Sequence, residues 1–271
     1  MTVDKLRAHY GLSRTPFGRD LAPSQIFAAR THKEAVARLR WLVDETAIGV
    51  VTGEVGAGKT LAARAAVATL DASRFTVVYL SNPMVGARGI HHHLVTALGE
   101  VPKFHRPALI AQTSDLLAAE TEERRKTVVL IVDEAHLLST EQLEQLRLLT
   151  NTDMDSRSSL GLILLGQPTL RRRLKQGHFA ALDQRIGLRF HLDGLPLEET
   201  AAYIAHHLTL AGRSDPLFSD DAITLVHQTS RGIPRAINNL AVQALIAAYA
   251  ESKGIVDESS AKAAITEVTA D

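Results

Sequence analysis

Cysteine is absent from the 271 residues, which excludes disulfide staples, thiolate metal sites and a cysteine nucleophile together. Aromatic residues make up only 4% of the chain. With alanine abundant, this scarcity favours helices packed on small side chains over an aromatic-rich β-sandwich. Net charge is missing too, because 30 lysines and arginines balance 30 aspartates and glutamates. No bulk field is left to draw the molecule onto nucleic acid or acidic membrane, so any anion must be gripped locally. No apolar run approaches the roughly 18 residues that span a bilayer. The first ten residues carry Asp4, Lys5, Arg7 and His9 and lack the apolar centre of a signal peptide. The expectation is a cytoplasmic protein without membrane insertion.

What remains is an ordinary globular composition, 45% hydrophobic and 22% charged, on a chain long enough for one large domain or two small ones. Five short apolar runs stand out, each followed by a turn signal and a helical pattern: Ile48–Thr52, Thr76–Leu80, Val128–Val132, Gly161–Leu165 and Leu188–Leu192. Runs that are nearly all apolar suit strands covered on both faces, and the first four read as fully buried. Their alternation with helices predicts an α/β fold with a five-stranded parallel sheet flanked by helices. After Gly194-Leu195-Pro196 only helical patterns follow: Leu197–Ala211, Ala222–Thr229 behind the cap Ser219-Asp220-Asp221, Pro234 to near Glu251, and a last helix from Asp257 or Glu258. The expected division is an α/β part of about 190 residues and a helical part of about 75. In detail, residues 1–47, an N-terminal segment and first helix, pack on the α/β domain, 48–194 form that domain, and 195–271 form a small all-helical lid.

Gly53-Glu54-Val55-Gly56-Ala57-Gly58-Lys59-Thr60 satisfies G-x-x-x-x-G-K-[ST], between the run Ile48–Thr52 and a helix expected to begin near Leu61. Glycines there let backbone N–H groups turn toward phosphates and the helix N-terminus adds its positive end. Lys59 can then reach the β- and γ-phosphates and the Thr60 hydroxyl can ligate Mg²⁺. The complementary carboxylate comes at the end of another apolar run, Val128–Val132, as Asp133, which can hold the Mg²⁺ shell. Glu134 follows it, either as the general base that polarises an attacking water or as a cap in the first turn of the next segment. Asp133-Glu134-Ala135-His136 spells the tetrapeptide of one helicase class, but two tandem helicase domains need far more chain. The cofactors expected are ATP and Mg²⁺.

The order of these pieces resembles an AAA+ ATPase, and more closely the ExeA-type branch, with relatives among transposon ATP-binding helpers of the TniB, TnsC and MuB types. The resemblance rests on Tyr10-Gly11-Leu12, Pro16-Phe17, the phosphate loop, Asp133-Glu134-Ala135, Leu146–Asn151, Gly166-Gln167-Pro168, Gln184-Arg185-Ile186, Glu199–Ile204 and Gly232–Asn239. It implies that Gln167 is a first sensor beside the γ-phosphate, although the same amide can simply cap the turn before Pro168. It implies that Arg185 is an arginine finger presented to the ATP of a neighbouring subunit, hence a homo-oligomer, ring or filament, formed with ATP. Arg235 resembles the second sensor, which reports nucleotide state through the lid. Asn82 lies where the family can place a polar residue that restrains the glutamate. Tyr10, Pro16, Phe17 and His32 are candidates for the adenine side or for ordinary packing.

Two basic clusters remain. The segment from Arg88 through His91-His92-His93 to Lys103, His105 and Arg106 reads as a loop after the second strand, and Arg88, Lys103 and Arg106 are candidate contacts to DNA backbone. Three consecutive histidines diverge on a helix, which argues against a metal site. Arg171-Arg172-Arg173-Leu174-Lys175 reads as a subunit interface or a solvated helix face. The leading expectation is an ATP-dependent, oligomeric, double-stranded-DNA-binding transposition helper that selects target DNA and stimulates a partner transposase. The alternative is an ExeA-like ATPase assisting assembly of a secretion apparatus. The resemblance implies that secretion proteins carry a membrane segment and a wall-binding region after the ATPase part, and the lack of either before Asp271 favours the first expectation.

Overall fold

The computed structural model describes residues 2–18, 21–151, 158 and 160–269. Two compact units emerge: His32–Glu54 with Lys59–Leu192, and Met1–Thr31 with Val55–Gly58 and Asp193–Asp271.

The first unit is built on five parallel strands, β1 (Ile48–Gly53), β2 (Phe75–Leu80), β3 (Thr127–Val132), β4 (Leu160–Gly166) and β5 (Ile186–Leu192), in the order β2-β3-β4-β1-β5. In chain order, α2 (Arg30–Asp44), α3 (Lys59–Val67), α4 (Gly86–Ala97), α5 (Arg106–Glu122), α6 (Thr140–Leu149), α7 (Pro168–Leu174) and α8 (Ala180–Arg185) accompany them; α1 belongs to the other unit. The expected parallel sheet is therefore present. From β1 the chain runs to β2 at the far edge, and β3 and β4 then fill the space between. That reversal opens a crevice at the carboxyl ends of the strands, where open α/β sheets bind ligands.

Central strands β1, β3 and β4 are almost wholly buried, because helices cover both faces. Their side chains join Leu94, Leu117, Leu143, Leu146 and Leu170 in one core. Full burial was expected of β2 as well. As an edge strand it instead leaves Tyr79 43% exposed. At the other edge, β5 starts at Ile186, two positions ahead of the expected run, and is half-exposed. Residues Arg88 to His93, taken as loop, lie in helix α4.

The second unit contains α1 (Val3–Tyr10), α9 (Leu197–Leu210), α10 (Asp220–Ser230), α11 (Pro234–Ala250) and α12 (Glu258–Thr269). Ser219 caps α10 by accepting from the Ala222 N–H, and Pro234 opens α11 where a missing N–H costs nothing. Leu6, Tyr10, Phe17, Leu208, Leu240 and Leu245 meet in its core. The Tyr10 hydroxyl donates to Leu245 O at 3.2 Å, and Phe17 stacks on His207 at 5.3 Å. Residues 1–31 thus group with the C-terminal helices and residues 32–47 with the sheet, where the sequence had suggested one block on the nucleotide domain.

Candidate functional site

The phosphate loop leaves the carboxyl end of β1, and α3 starts at Lys59, two residues before the expected Leu61. Gly56 adopts φ +84, a conformation side chains rarely take. A Cβ on Gly56 would also lie 2.4 Å from Arg235 Cβ, so glycine is required for space as well as for conformation. Lys59 is only 6% exposed. Its Nζ donates to Gly53 O at 2.8 Å and Glu54 O at 2.9 Å, folding the loop around its own cation.

From β3, the backbone delivers Asp133 beside that loop. Thr60 Oγ1 donates to Asp133 Oδ2 at 2.7 Å, and the Glu134 N–H donates to Asp133 Oδ1 at 2.8 Å. An alcohol and a carboxylate held together in this way form an oxygen donor pair of the kind Mg²⁺ takes in phosphate sites. A second donor to Oδ2 was not anticipated: the Tyr79 hydroxyl of β2, at 2.8 Å. Burial and the adjacent Asp133 push the Tyr79 phenol well above its ordinary value, so it stays a proton donor. Its only signal in the sequence was a hydroxyl-bearing aromatic in an otherwise apolar strand end.

Glu134 occupies the left-handed region at φ 49 and ψ 35 and makes no side-chain cap bond to the 3₁₀ turn Ala135–Leu137. Such backbone is costly for a non-glycine residue and is concentrated at functional sites. Its carboxylate is half-exposed, with Oε2 3.4 Å from His136 Nδ1. His136 was also missed as a neighbour. Gln167 precedes α7 at the cap position but makes no side-chain cap bond, which removes the capping role considered for it.

The remaining candidates are placed separately. Arg185 is the last residue of α8 and half-buried. Arg235 is exposed in the first turn of α11, its N–H 3.4 Å from Gly56 O. That turn is positioned by a backbone crossing in which the Leu195 N–H donates to Gly232 O at 2.8 Å; a Cβ on Gly232 would meet Leu195 O at 2.0 Å. Asn82 does not reach the glutamate: its Oδ1 accepts from Met84 N–H at 2.9 Å, closing its own turn. Tyr10 and Phe17 are buried in the helical core. The proposed DNA contacts are largely engaged within the fold. Arg88 donates to Phe104 O at 3.2 Å, Arg106 pairs with Glu141 at 2.6 Å, and Lys103 is exposed. As expected, the three histidines diverge: His91 is buried against Thr113, His92 is exposed, and His93 donates to Tyr79 O.

Comparison with known proteins agrees with this architecture. Residues 43–174 match the model of an AAA domain. General secretion pathway protein A of Aeromonas hydrophila is 36% identical over 250 residues, covering 89% of this chain and 44% of that protein. The chain thus spans less than half the length of this relative. Among solved structures, Cdc6p from Pyrobaculum aerophilum superposes with a TM-score of 0.67 at 14% identity, over 89% of this chain and 67% of that one. The ADP form of the Aeropyrum pernix ORC2 protein gives 0.66 at 17% identity, over 93% and 71%. At such identities the likeness is one of fold. Among the described residues no helix is long and apolar enough to cross a membrane. Residues 43–174 thus match an AAA domain, and the chain has the P-loop NTPase fold.

Proposed function

We propose that this protein is a Mg²⁺-dependent ATPase that performs assembly work for a secretion apparatus. The observation that carries the ATPase reading is the Thr60–Asp133 hydrogen bond, which joins the phosphate loop to β3 with Glu134 next in line. Mg²⁺-bound ATP would supply the γ-phosphoryl group and, through the ion, neutralise charge developing on it. Lys59 would hold the β- and γ-phosphates, Thr60 and Asp133 would hold the metal, Glu134 would accept the proton of the attacking water, and Gln167 would sit toward the γ-phosphate. Arg235 reads the bound state from the lid, and Arg185 serves the site of a neighbouring copy in a homo-oligomer. The secretion role follows the Aeromonas relative, which supports that reading over transposition; nothing in the comparisons supports a transposase partner. With Arg88 and Arg106 engaged inside the fold, a DNA track is not part of the proposal.

Steady-state hydrolysis and binding of a fluorescent ATP analogue test the scheme. Lys59→Ala should lose nucleotide binding, on the order of 100-fold. Glu134→Gln should keep binding and lose turnover by 10²-fold or more, the scale of general-base loss. Arg185→Ala should keep affinity and lose turnover, recovering when mixed with a Lys59→Ala protein that still donates its finger. Normal turnover in Glu134→Gln would remove it as the base.

A further inference from the structure

Arg171 and Lys175 are four positions apart, on one face of α7 and its C-terminal turn, with Arg172 beside them; all three are exposed. Like charges at this spacing repel and destabilise a helix. Among the described residues, none of the three is tied into an ion pair. Together with Pro168 and His191 they line a cavity of about 350 Å³. A smaller hollow shares Arg171 and His191 and is floored by Val50, Thr52 and Leu174, with Arg189 at its side. The floor is polar at one point: Thr52, 2% exposed, places Oγ1 3.0 Å from His191 Nδ1 and so fixes the ring. Arg189 is already paired with Asp183 at 2.7 Å.

A neutral chain that gathers three unpaired cations around one concavity has built a local anion grip. We propose that this cavity, on the α7–β5 side of the sheet, binds a small phosphate-bearing anion, separately from the phosphate loop. Its volume is at the lower end of small-molecule sites. That suits a diphosphate group. The two guanidinium groups and the ammonium that line the cavity are the donors a phosphoryl group takes. The diphosphate can be free or part of a nucleotide, and the two sources share this chemistry.

Titration calorimetry at low salt tests the site in Lys59→Ala protein, whose phosphate loop is disabled. Inorganic pyrophosphate should bind saturably to this protein. Binding should weaken at least tenfold when Arg171→Gln and Lys175→Gln are added, with an unchanged circular dichroism spectrum. ADP binding as tightly as pyrophosphate would identify a nucleotide as the source, and weaker ADP binding the free anion; either supports the site. No pyrophosphate binding to Lys59→Ala protein, or binding that the double substitution leaves unchanged, overturns it. Loss of self-association in the double variant with pyrophosphate binding intact overturns it in favour of a contact between copies.

Discussion

A single carboxylate oxygen organises the candidate site. Asp133 Oδ2 accepts from Thr60 at 2.7 Å and from Tyr79 at 2.8 Å, while Oδ1 is held by the Glu134 N–H. Each donor removes a rotational freedom from the carboxylate, and partners that orient a metal-binding group typically set its affinity by one to two orders of magnitude. Tyr79→Phe keeps the ring and deletes only the hydroxyl. It should raise the Mg²⁺ concentration needed for half-maximal binding of a fluorescent ATP analogue about tenfold, with metal-free nucleotide binding unchanged. An unaltered Mg²⁺ dependence would reduce Tyr79 to a packing residue.

Elements differ in how far the sequence exposed them. The inner strands announced themselves because helices cover both of their faces, so almost every residue from Val128 to Val132 had to be apolar. The phosphate loop was equally legible, since its spacing is dictated by the anion it wraps. Tyr79 was not, because its partner depends on β2 lying beside β3 in the register Tyr79↔Ile131, a long-range pairing that no local pattern carries. For the same reason the short helix α1 gave no sign that Tyr10 would reach Leu245, nor α7 that its cations would meet His191 on β5. Gln142 illustrates such an unannounced link. Ser139 and Gln142 form a capping box at the start of α6, and Gln142 Nε2 also donates to Pro83 O at 2.5 Å, although the residue is only 3% exposed. Gln142→Ala strands a buried carbonyl and half of a cap, so it should cost about 2–3 kcal/mol. Urea unfolding would show the loss, with nucleotide affinity retained at low temperature; a change below about 0.5 kcal/mol would mean that water replaces the amide.

For the whole molecule, the zero net charge that opened the sequence conceals a stability switch, because the 12 histidines are counted as neutral. Several are held neutral by the fold. In the sheet unit, burial lowers the pKa values of His32 and His91. In the helical unit, burial, assisted by the neighbouring His206 and Arg14, brings His207 from its ordinary 6.5 down to about 4. Its ring stacks on Phe17 at 5.3 Å and lies 4.4 Å from Tyr203, so protonation would place a charge inside the core. A depressed folded-state pKa means that between about pH 6.5 and 4 the unfolded chain binds more protons than the folded one. The stability His207 confers is therefore complete above pH 6.5 and is lost as pH falls through the folded value near 4. The loss is on the order of 3 kcal/mol at most. Thermal unfolding followed by circular dichroism should show a midpoint that drops over this interval. His207→Phe preserves an aromatic ring between Phe17 and Tyr203 but cannot take a proton, so its midpoint should fall less steeply over the same range. The difference between the two curves reports the His207 contribution, and parallel curves would refute its part in acid unfolding.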